Sequence, residues 1–325
     1  MPEGKEWSPE FVIYGDLGRK GGAPSIRALK QEAHTGRYTA FIHTGDFAYN
    51  FHDEDGQRGD NFMRRIQDIA ARVPYMTCPG NHEIWYDFSH YRYRFSAPRS
   101  DWPIQKWQMW YSFDVANIHF ISYSSEVYFT DDELYAPAQI KWLEKDLTEA
   151  NSPSNRTQRP WIIVFGHRPM YCSNLNRDDC TTPLSKVRIG LEDTFYKYGV
   201  DLIIEAHEHS YERLYPVFHG QVTNCDYKNP RAPAHIIGGA AGCNEQFGLC
   251  ADVVLSPRGP WSAFRSWLPG LNGYGRLKVF NNTHLYYEQM LAMTGQVMDR
   301  FWLVQTNHGP YNETFNPDTE HCSSN

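Results

Sequence analysis

Five short apolar stretches of the sequence are each followed by side chains that commonly bind metal ions. Such stretches read as buried strands, and a polar side chain at the mouth of a buried strand is costly unless it is paired or metal-bound. The donors are Asp16, Asp46 with Tyr49, Asn81 with the neighbouring His82, His167, and His207 with His209. Because binding sites of α/β sheets form at the carboxyl ends of strands, we expect these side chains to converge.

The donor types indicate which metals such a site would bind. Two carboxylates, one amide oxygen, three imidazoles and one phenol form a mixed set without a thiolate, which argues against a structural zinc site of the cysteine type. The alternation of His207 and His209 points both rings to one side. These donors exceed the needs of one tetrahedral ion and suit two. Two ions about 3.5–4 Å apart lower the pKa of a bound water and hold a phosphoryl group in line.

Each donor also has an ordinary structural explanation. Asp16 and Asp46 could cap helices. Asn81 could occupy a turn, His167 could be a hydrogen-bonded core histidine, and Tyr49 could simply belong to the core. Separate explanations of this kind would have to hold at all five strand ends, so a shared site is the stronger hypothesis.

Strands alternate with helices over the first two thirds of the chain, and the last third is mostly strands. Helical periodicity predicts helices at Pro24–His34, Phe62–Ala71, Ala136–Glu149 and Val187–Tyr198, whereas Asn151–Pro160 reads as a loop. A hairpin is predicted around Asn281–Thr283. This order predicts an α/β fold in which two sheets pack face to face with helices outside.

Length and composition limit the classes of protein. The 325 residues suffice for one large domain or two ordinary ones, and 41% hydrophobic with 15% aromatic residues suit a packed core. The net charge of -7 and the lack of a basic stripe argue against nucleic acid as a partner. No apolar run approaches the length of a membrane span.

The cysteines are compatible with disulfide bonds that leave at least one thiol unpaired within the chain. Two close pairs in loop-like sequence are compatible with disulfides, Cys172 with Cys180 and Cys243 with Cys250. The chain has seven cysteines, so at least one is free or paired outside the chain. Cys78, in a predicted strand, is the candidate for a buried free cysteine.

Five ordered blocks of the sequence resemble those of the calcineurin-like metallophosphoesterases. They are Gly15-Asp16-Leu17-Gly18, Gly45-Asp46-Phe47-Ala48-Tyr49, Gly80-Asn81-His82-Glu83, Val164-Phe165-Gly166-His167 and Ala206-His207-Glu208-His209. Tyr49 narrows the resemblance to the purple acid phosphatases, and their plant-type and animal acid phosphatase type 7 branch fits best. Gly239–Cys243 and Tyr274–Glu288 resemble the C-terminal part of that family. The resemblance implies a four-layer fold, with two mixed β-sheets packed as a sandwich and flanked by helices.

The same resemblance implies an acid phosphatase with a ferric ion beside a divalent ion. By position, Asp16, Tyr49 and His209 would hold the ferric ion, Asn81, His167 and His207 would hold zinc, iron or manganese, and Asp46 would bridge them. The donor types agree, since phenolate and carboxylates suit hard Fe(III) and imidazoles suit a borderline divalent ion. A metal-bound hydroxide would then attack the phosphorus of a phosphate monoester.

Three residues are candidates for contacting the substrate. His82 would bind phosphate or protonate the leaving alkoxide, or would be only an outer hydrogen-bond partner. Asn81 would contact the substrate beside its metal. Arg177 stands where plant-type relatives often place a histidine, so it would bind phosphate as a fork or face the solvent.

Two positions test how closely the chain follows the family. Ala206 stands where the family usually has glycine, which matters only if the backbone there needs a positive φ. Glu208, between two implied ligands, is expected to hydrogen-bond away from the reaction.

The resemblance also sets the expected organisation of the chain. A catalytic domain is predicted at 11–306, with the C-terminal family part at about 232–306, after a polar lead-in at 1–10 and before a polar tail at 307–325. Larger relatives carry an all-β domain and a signal peptide before this region, so we expect a catalytic domain alone. The sequons at Asn155, Asn281 and Asn312, together with the family, favour a secreted, extracellular or endolysosomal glycoprotein.

The function implied is therefore hydrolysis of phosphate monoesters at a binuclear Fe(III)–M(II) site. One alternative is a phosphodiesterase or nucleotide pyrophosphatase on the same fold, which Tyr49 disfavours. The other is a catalytically silent, secreted metal-binding or interaction domain, which the full donor set disfavours.

Overall fold

The structure is a computed structural model that describes residues 7–19, 21–174, 178–242, 257–266, 271–311 and 322. Its strands are β1 (Glu10–Tyr14), β2 (Ala40–His43), β3 (Tyr75–Thr77), β4 (Tyr111–Val115), β5 (Ile118–Ser122), β6 (Trp161–Phe165), β7 (Leu202–Glu205), β8 (Tyr211–Leu214), β9 (Val217–Phe218), β10 (Gln221–Val222), β11 (Ala234–Gly238), β12 (Ser262–Arg265), β13 (Gly273–Val279), β14 (His284–Leu291) and β15 (Val297–Val304). The α-helices are α1 (Ala23–His34), α2 (Gln57–Ala70), α3 (Ser89–Arg94), α4 (Tyr135–Ala150), α5 (Pro153–Gln158) and α6 (Lys186–Lys197). Short 3₁₀ helices lie at Asn81–Glu83, Lys106–Gln108, Ser125–Tyr128 and Asp179–Thr181. Within the residues described, no helix is both long enough and apolar enough to cross a membrane.

The first sheet has six strands in the order β15-β14-β13-β1-β2-β3. The strands β1, β2 and β3 are parallel, and β13 to β15 extend the sheet in antiparallel pairs. Every residue of β1 and β2 is buried, as expected for strands covered on both faces. Because β1 to β3 are parallel, their carboxyl ends leave the sheet at the same edge.

The second sheet has seven strands in the order β12-β8-β11-β7-β6-β5-β4. Its centre, β5, β6, β7 and β11, is parallel, and antiparallel strands close both sides. The run Trp161–Phe165 is wholly buried in β6, which agrees with its uninterrupted apolar sequence. The ends of β6 and β7 therefore also leave at one edge.

The two sheets pack face to face around the central core. Phe11, Ile13 and Ile42 of the first sheet join Phe120 and Ile163 of the second in one buried cluster. A second cluster packs α1 and α2 against the outer face of the first sheet, and a third packs α4 and α6 against the second. The layers are thus helix, sheet, sheet and helix, so the predicted four-layer fold with two mixed sheets is confirmed.

One predicted loop is wrong, because Asn151–Pro160 contains the helix α5. Pro153 occupies the first turn of α5, where its fixed φ suits a helix and its missing N–H is not needed. The sequon residue Asn155 therefore lies in a helix, and its Nδ2 donates a hydrogen bond to the Glu149 carbonyl at 2.9 Å.

The disulfides agree in part with the expectation from spacing. Cys172 and Cys180 are bonded, and Cys78 is free and buried, as predicted. Cys225 is bonded to Cys322 across 97 positions, which local spacing could not indicate. The predicted pairing of Cys243 with Cys250 lies outside the described residues.

Candidate metal centre

The predicted metal donors follow five strands whose carboxyl ends meet at one edge of the sandwich. Asp16 follows β1, Asp46 follows β2, Asn81 follows β3, His167 follows β6 and His207 follows β7. The two sheets are joined here, because Asp16 Oδ2 accepts a hydrogen bond from the backbone N–H of His207 at 2.9 Å. Sheet topology therefore brings together donors that lie far apart in the sequence.

Four of the predicted donors adopt left-handed backbone conformations. The φ angles are 57° at Asp16, 52° at Asp46, 50° at Tyr49 and 67° at His207. Residues other than glycine rarely adopt this region, and holding one there costs about 1–3 kcal/mol. Backbone strain of this kind collects at functional sites, where the surrounding structure over-determines it.

Two glycines permit the close approach of the strand ends. A Cβ on Gly45, whose φ is 84°, would lie 2.7 Å from His167 Nδ1. A Cβ on Gly80 would lie 2.3 Å from Asp46 Oδ1. The glycines that begin these two sequence blocks are therefore required by packing around the donors.

The donor atoms form two groups. In the first, His209 Nε2 lies 2.8 Å from Tyr49 Oη and 3.4 Å from Asp16 Oδ1. In the second, His167 Nε2 lies 3.1 Å from Asn81 Oδ1, 3.2 Å from His207 Nδ1 and 3.4 Å from Asp46 Oδ1. All the residues predicted to bind metal are thus placed in one of two compact groups.

This arrangement fits two metal ions. Atoms that each lie about 2.0–2.2 Å from one ion are about 2.8–3.6 Å apart, which is the spacing found within each group. Asp16 Oδ1 and Asp46 Oδ2 are buried and take part in no hydrogen bond. Buried carboxylate oxygens are normally satisfied, so these two atoms are suited to cations.

Opposite charges face each other in the second group. Burial alone would lower the pKa of His167, but the charge of Asp46, its hydrogen bond and the charges of Asp16 and Glu126 together raise that pKa to about 10. Burial would likewise raise the pKa of Asp46, but the histidines around it hold that pKa far below its usual range. A cation bound here would therefore displace a proton from the His167 ring.

His82 lies at the rim of the second group. Its Nδ1 lies 2.9 Å from Asn50 Oδ1, its Nε2 lies 3.8 Å from Asp46 Oδ2, and its ring meets the Tyr49 ring edge-on. Since the Asn50 oxygen can only accept, it fixes a proton on Nδ1 and leaves Nε2 directed toward the donors. Sequence reasoning gave Asn50 no role, because its contact depends on how the two loops meet.

Glu83 holds two of the donor loops together. Its buried carboxylate accepts backbone hydrogen bonds from Asp46, Phe47 and Gly80 at 2.9, 3.2 and 2.8 Å. Burial and the nearby charge of Asp46 raise its pKa to about 7. The residue was visible in its sequence block, but spacing alone gave no reason to assign it this role.

In two donor histidines, the ring nitrogen that faces away from the second group also has defined partners. His167 Nδ1 lies 2.7 Å from the Thr44 carbonyl oxygen, which leaves Nε2 for a metal. His207 Nε2 lies 2.5 Å from Asp178 Oδ2 and 3.2 Å from Arg168 Nη1. Sequence reasoning missed Asp178 and Arg168, although Arg168 directly follows a predicted donor.

The remaining predicted positions have separate outcomes. Glu208 is buried and faces Asn174 and the disulfide, with its Oε1 3.3 Å from Cys180 Sγ, so it points away from the donors. Ala206 is buried and is not among the positive-φ residues, so alanine fits there without strain. Arg177 lies outside the described residues and stays a prediction.

Two family models match most of the chain. The model described as calcineurin-like phosphoesterase matches residues 9–211. The model described as iron/zinc purple acid phosphatase-like protein C matches residues 232–300. The matches cover all the predicted metal donors and most of the C-terminal strands.

Curated relatives and a solved structure agree with these matches. Acid phosphatase type 7 of Danio rerio is 48% identical over 324 residues, covering 94% of this chain and 70% of the relative. The Fe(3+)-Zn(2+) purple acid phosphatase 12 of Arabidopsis thaliana is 29% identical, covering 91% of this chain and 64% of the relative. A purple acid phosphatase structure from yellow lupin, Lupinus luteus, superposes with a TM-score of 0.74 at 24% identity. That match covers 94% of this chain and 55% of the lupin chain, and it supports the fold.

Proposed function

This chain belongs to the calcineurin-like phosphoesterases of the purple acid phosphatase type, and from that premise we propose that it hydrolyses phosphate monoesters at acid pH. The observation that carries the proposal is the division of the donors into two groups, with buried oxygens on Asp16 and Asp46 that take part in no hydrogen bond. The name of the 48% identical relative, acid phosphatase type 7, supports the same reaction.

The donor chemistry supports unlike ions in the two groups. Asp16, Tyr49 and His209 would hold a ferric ion, because phenolate and carboxylate are hard ligands. Asn81, His167 and His207 would hold a divalent ion such as zinc, iron or manganese, and Asp46 would contribute to both. When bound, such a pair supplies a nucleophilic water at acid pH and neutralises charge on the phosphoryl group.

The side chains of the protein would orient the ester and move a proton. His82 would direct Nε2 to the oxygen of the leaving group, since the contact with Asn50 occupies Nδ1. As an imidazolium, His82 would then give the proton on Nε2 to the departing alkoxide and keep the one on Nδ1. Asn81 would contact the phosphate beside its metal. Arg177 would bind the same phosphate through two N–H groups of its guanidinium.

Metal analysis with a visible spectrum tests the proposal, on protein expressed through a secretory route. We expect about two metals per chain, one of them iron, and a broad visible band. Turnover should be faster with p-nitrophenyl phosphate than with bis(p-nitrophenyl) phosphate. Asp46→Asn should lose metal and turnover, whereas Asp131→Asn, which changes an exposed carboxylate, should lose neither.

Other results would favour the alternatives. Faster turnover of the diester would indicate a phosphodiesterase. Two metals without iron or colour would contradict the ferric site and indicate another type of metallophosphoesterase. A folded protein that binds no metal would contradict the proposal and favour a silent domain.

We also propose that the chain is exported and glycosylated. Disulfides such as Cys172–Cys180 persist in oxidising compartments, which supports export. Asn281 is exposed in a hairpin turn, whereas the Asn155 amide is hydrogen-bonded within a helical region. Asn281→Gln should therefore remove most of a glycosidase-sensitive mass, and Asn155→Gln should not. Asn312 lies outside the described residues and stays a candidate.

A further inference from the structure

The ring of His207 has different neighbours at its two nitrogens. Nδ1 faces the second donor group and lies 3.2 Å from His167 Nε2. Nε2 faces away from it, toward Asp178 Oδ2 at 2.5 Å and Arg168 Nη1 at 3.2 Å. A neutral imidazole carries one proton, so the neighbours of Nε2 decide whether Nδ1 has a lone pair for a metal.

The two neighbours of Nε2 make opposite demands. The Asp178 carboxylate only accepts hydrogen bonds, so its contact requires a proton on Nε2. Arg168 only donates, so its contact would instead require a lone pair there. The contact with Asp178 is the shorter one.

Arg168 already has other partners. Its Nε donates to both oxygens of the buried Glu126 at 3.0 and 3.1 Å, and its guanidinium lies 4.2 Å from the Phe129 ring centroid. Its Nη1 also lies 3.6 Å from Asp178 Oδ2, which places a positive charge beside that carboxylate. Arg168 is therefore held by the acids Glu126 and Asp178, and the same Asp178 oxygen, Oδ2, contacts His207.

We propose that Asp178 is a positioning residue that keeps the proton of His207 on Nε2 and thereby presents Nδ1 to the divalent ion. This inference rests on the proposed function, because it assumes that the second donor group binds a metal. Partners of this kind fix the tautomer and orientation of metal-binding histidines.

The disulfide Cys172–Cys180 keeps Asp178 in place. Asp178 lies two residues before Cys180, and its Oδ1 accepts a hydrogen bond from the backbone N–H of Asp179 at 2.7 Å. The backbone N–H of Cys172 donates to the Cys180 carbonyl at 3.2 Å, which closes the same segment. Opening the disulfide should therefore weaken the contact between Asp178 and His207.

Zinc affinity and the visible band of the iron-containing protein together test the inference. Loss of an outer partner typically lowers metal affinity about 10–100-fold, so we expect a fall of that size in Asp178→Ala. Because His207 belongs to the second group, the visible band from Tyr49 and iron should remain. Asp178→Asn retains an accepting oxygen and should lose less. The double variant Cys172→Ser/Cys180→Ser should show the same selective loss of zinc.

The surface offers a matched control. Asp193 Oδ1 lies 2.7 Å from His219 Nε2 in an exposed pair that includes none of the donors, so Asp193→Asn should leave zinc affinity unchanged. Wild-type zinc affinity in Asp178→Ala would overturn the inference. Equal loss of iron, colour and zinc in both Asp178 variants would also overturn it, since the effect would then be general.

Two results for the wild-type protein separate this inference from the proposed function. Three metals per chain, one of them lost in Asp178→Ala, would make Asp178 a ligand and overturn the inference alone. A wild-type protein without metal would overturn both.

Discussion

The carboxylate of Glu83 accepts a hydrogen bond from the backbone N–H of Asp46 at 2.9 Å, which ties the loop after β3 to the loop after β2. Phe47 and Gly80 donate backbone hydrogen bonds to the same side chain. One buried acid thus replaces water for three N–H groups next to the donor atoms. The geometry of Asp46 and Asn81 depends on it.

Removing this acceptor should destabilise the metal-free protein. Glu83→Ala leaves buried N–H groups unpaired, so the free energy of unfolding should fall by about 2–4 kcal/mol. Glu83→Gln keeps one accepting oxygen and should lose less. Urea unfolding measures the change, with Glu133→Gln as an exposed control. Equal unfolding midpoints for Glu83→Ala and the control would contradict this role.

The phenol of Tyr49 should determine the colour of the protein. Charge transfer from phenolate to Fe(III) gives a visible band, so Tyr49→Phe should bleach it while the chain stays folded. Tyr93→Phe removes a hydroxyl from a residue that is 56% exposed and should leave the band unchanged. An unaltered spectrum in Tyr49→Phe would show that this side chain is not a ligand.

Gly15 and Ala206 should behave as a coupled pair. A Cβ on Gly15 would lie 2.5 Å from the Ala206 Cβ and 2.7 Å from Thr44 Oγ1, so Gly15→Ala should cost about 1–3 kcal/mol through overpacking. Adding Ala206→Gly removes one of the two clashes and should restore part of the loss. Thermal unfolding of both single variants and the double variant measures the coupling. Strictly additive effects would rule it out.

His119 should make stability depend on pH. Its Nδ1 lies 2.7 Å from Asp114 Oδ1 and its Nε2 lies 2.8 Å from Asp146 Oδ2. Burial alone would lower the pKa of His119, but the hydrogen bonds to both carboxylates raise it to about 9. A raised pKa stabilises the fold fully below the ordinary histidine value of about 6.5, and this stabilisation is lost as the pH rises through 9.

Substitution of His119 checks this direction. The difference in free energy of unfolding between wild type and His119→Gln should be largest near pH 6 and should shrink toward pH 10. His219→Gln breaks an exposed pair with Asp193 and should show a much smaller change. A difference that stays constant across this pH range would contradict the assignment.

The sequence was sufficient to predict that the candidate metal donors would meet at one edge of the sandwich. Asp16, Asp46 and His167 each follow shortly after an apolar strand, and parallel pairing within each sheet brings the ends of such strands to one edge. The period of the apolar residues also distinguished the main helices from the strands. Both signals are local in the chain, which is why they could be read without a structure.

The partners of those donors could not be predicted, because they depend on loop paths. Asp178 reaches His207 through a loop closed by a disulfide, and Asn50 reaches His82 across two separate loops. Helix α5 was missed because a short run of proline, serine and asparagine resembles a turn in composition. In each case tertiary contacts decide the conformation.

The bond between Cys225 and Cys322 closes a covalent ring of the chain. That ring contains β11 and β12 of the second sheet and β13 to β15 of the first, so strands from both sheets belong to one closed loop. In the chain-entropy model, closing a loop of this length lowers the conformational entropy of the unfolded chain and so stabilises the fold by about 4–5 kcal/mol. A protease that cuts once inside the ring would leave a single molecule of unchanged mass apart from one added water. The two fragments would separate only after unfolding and reduction.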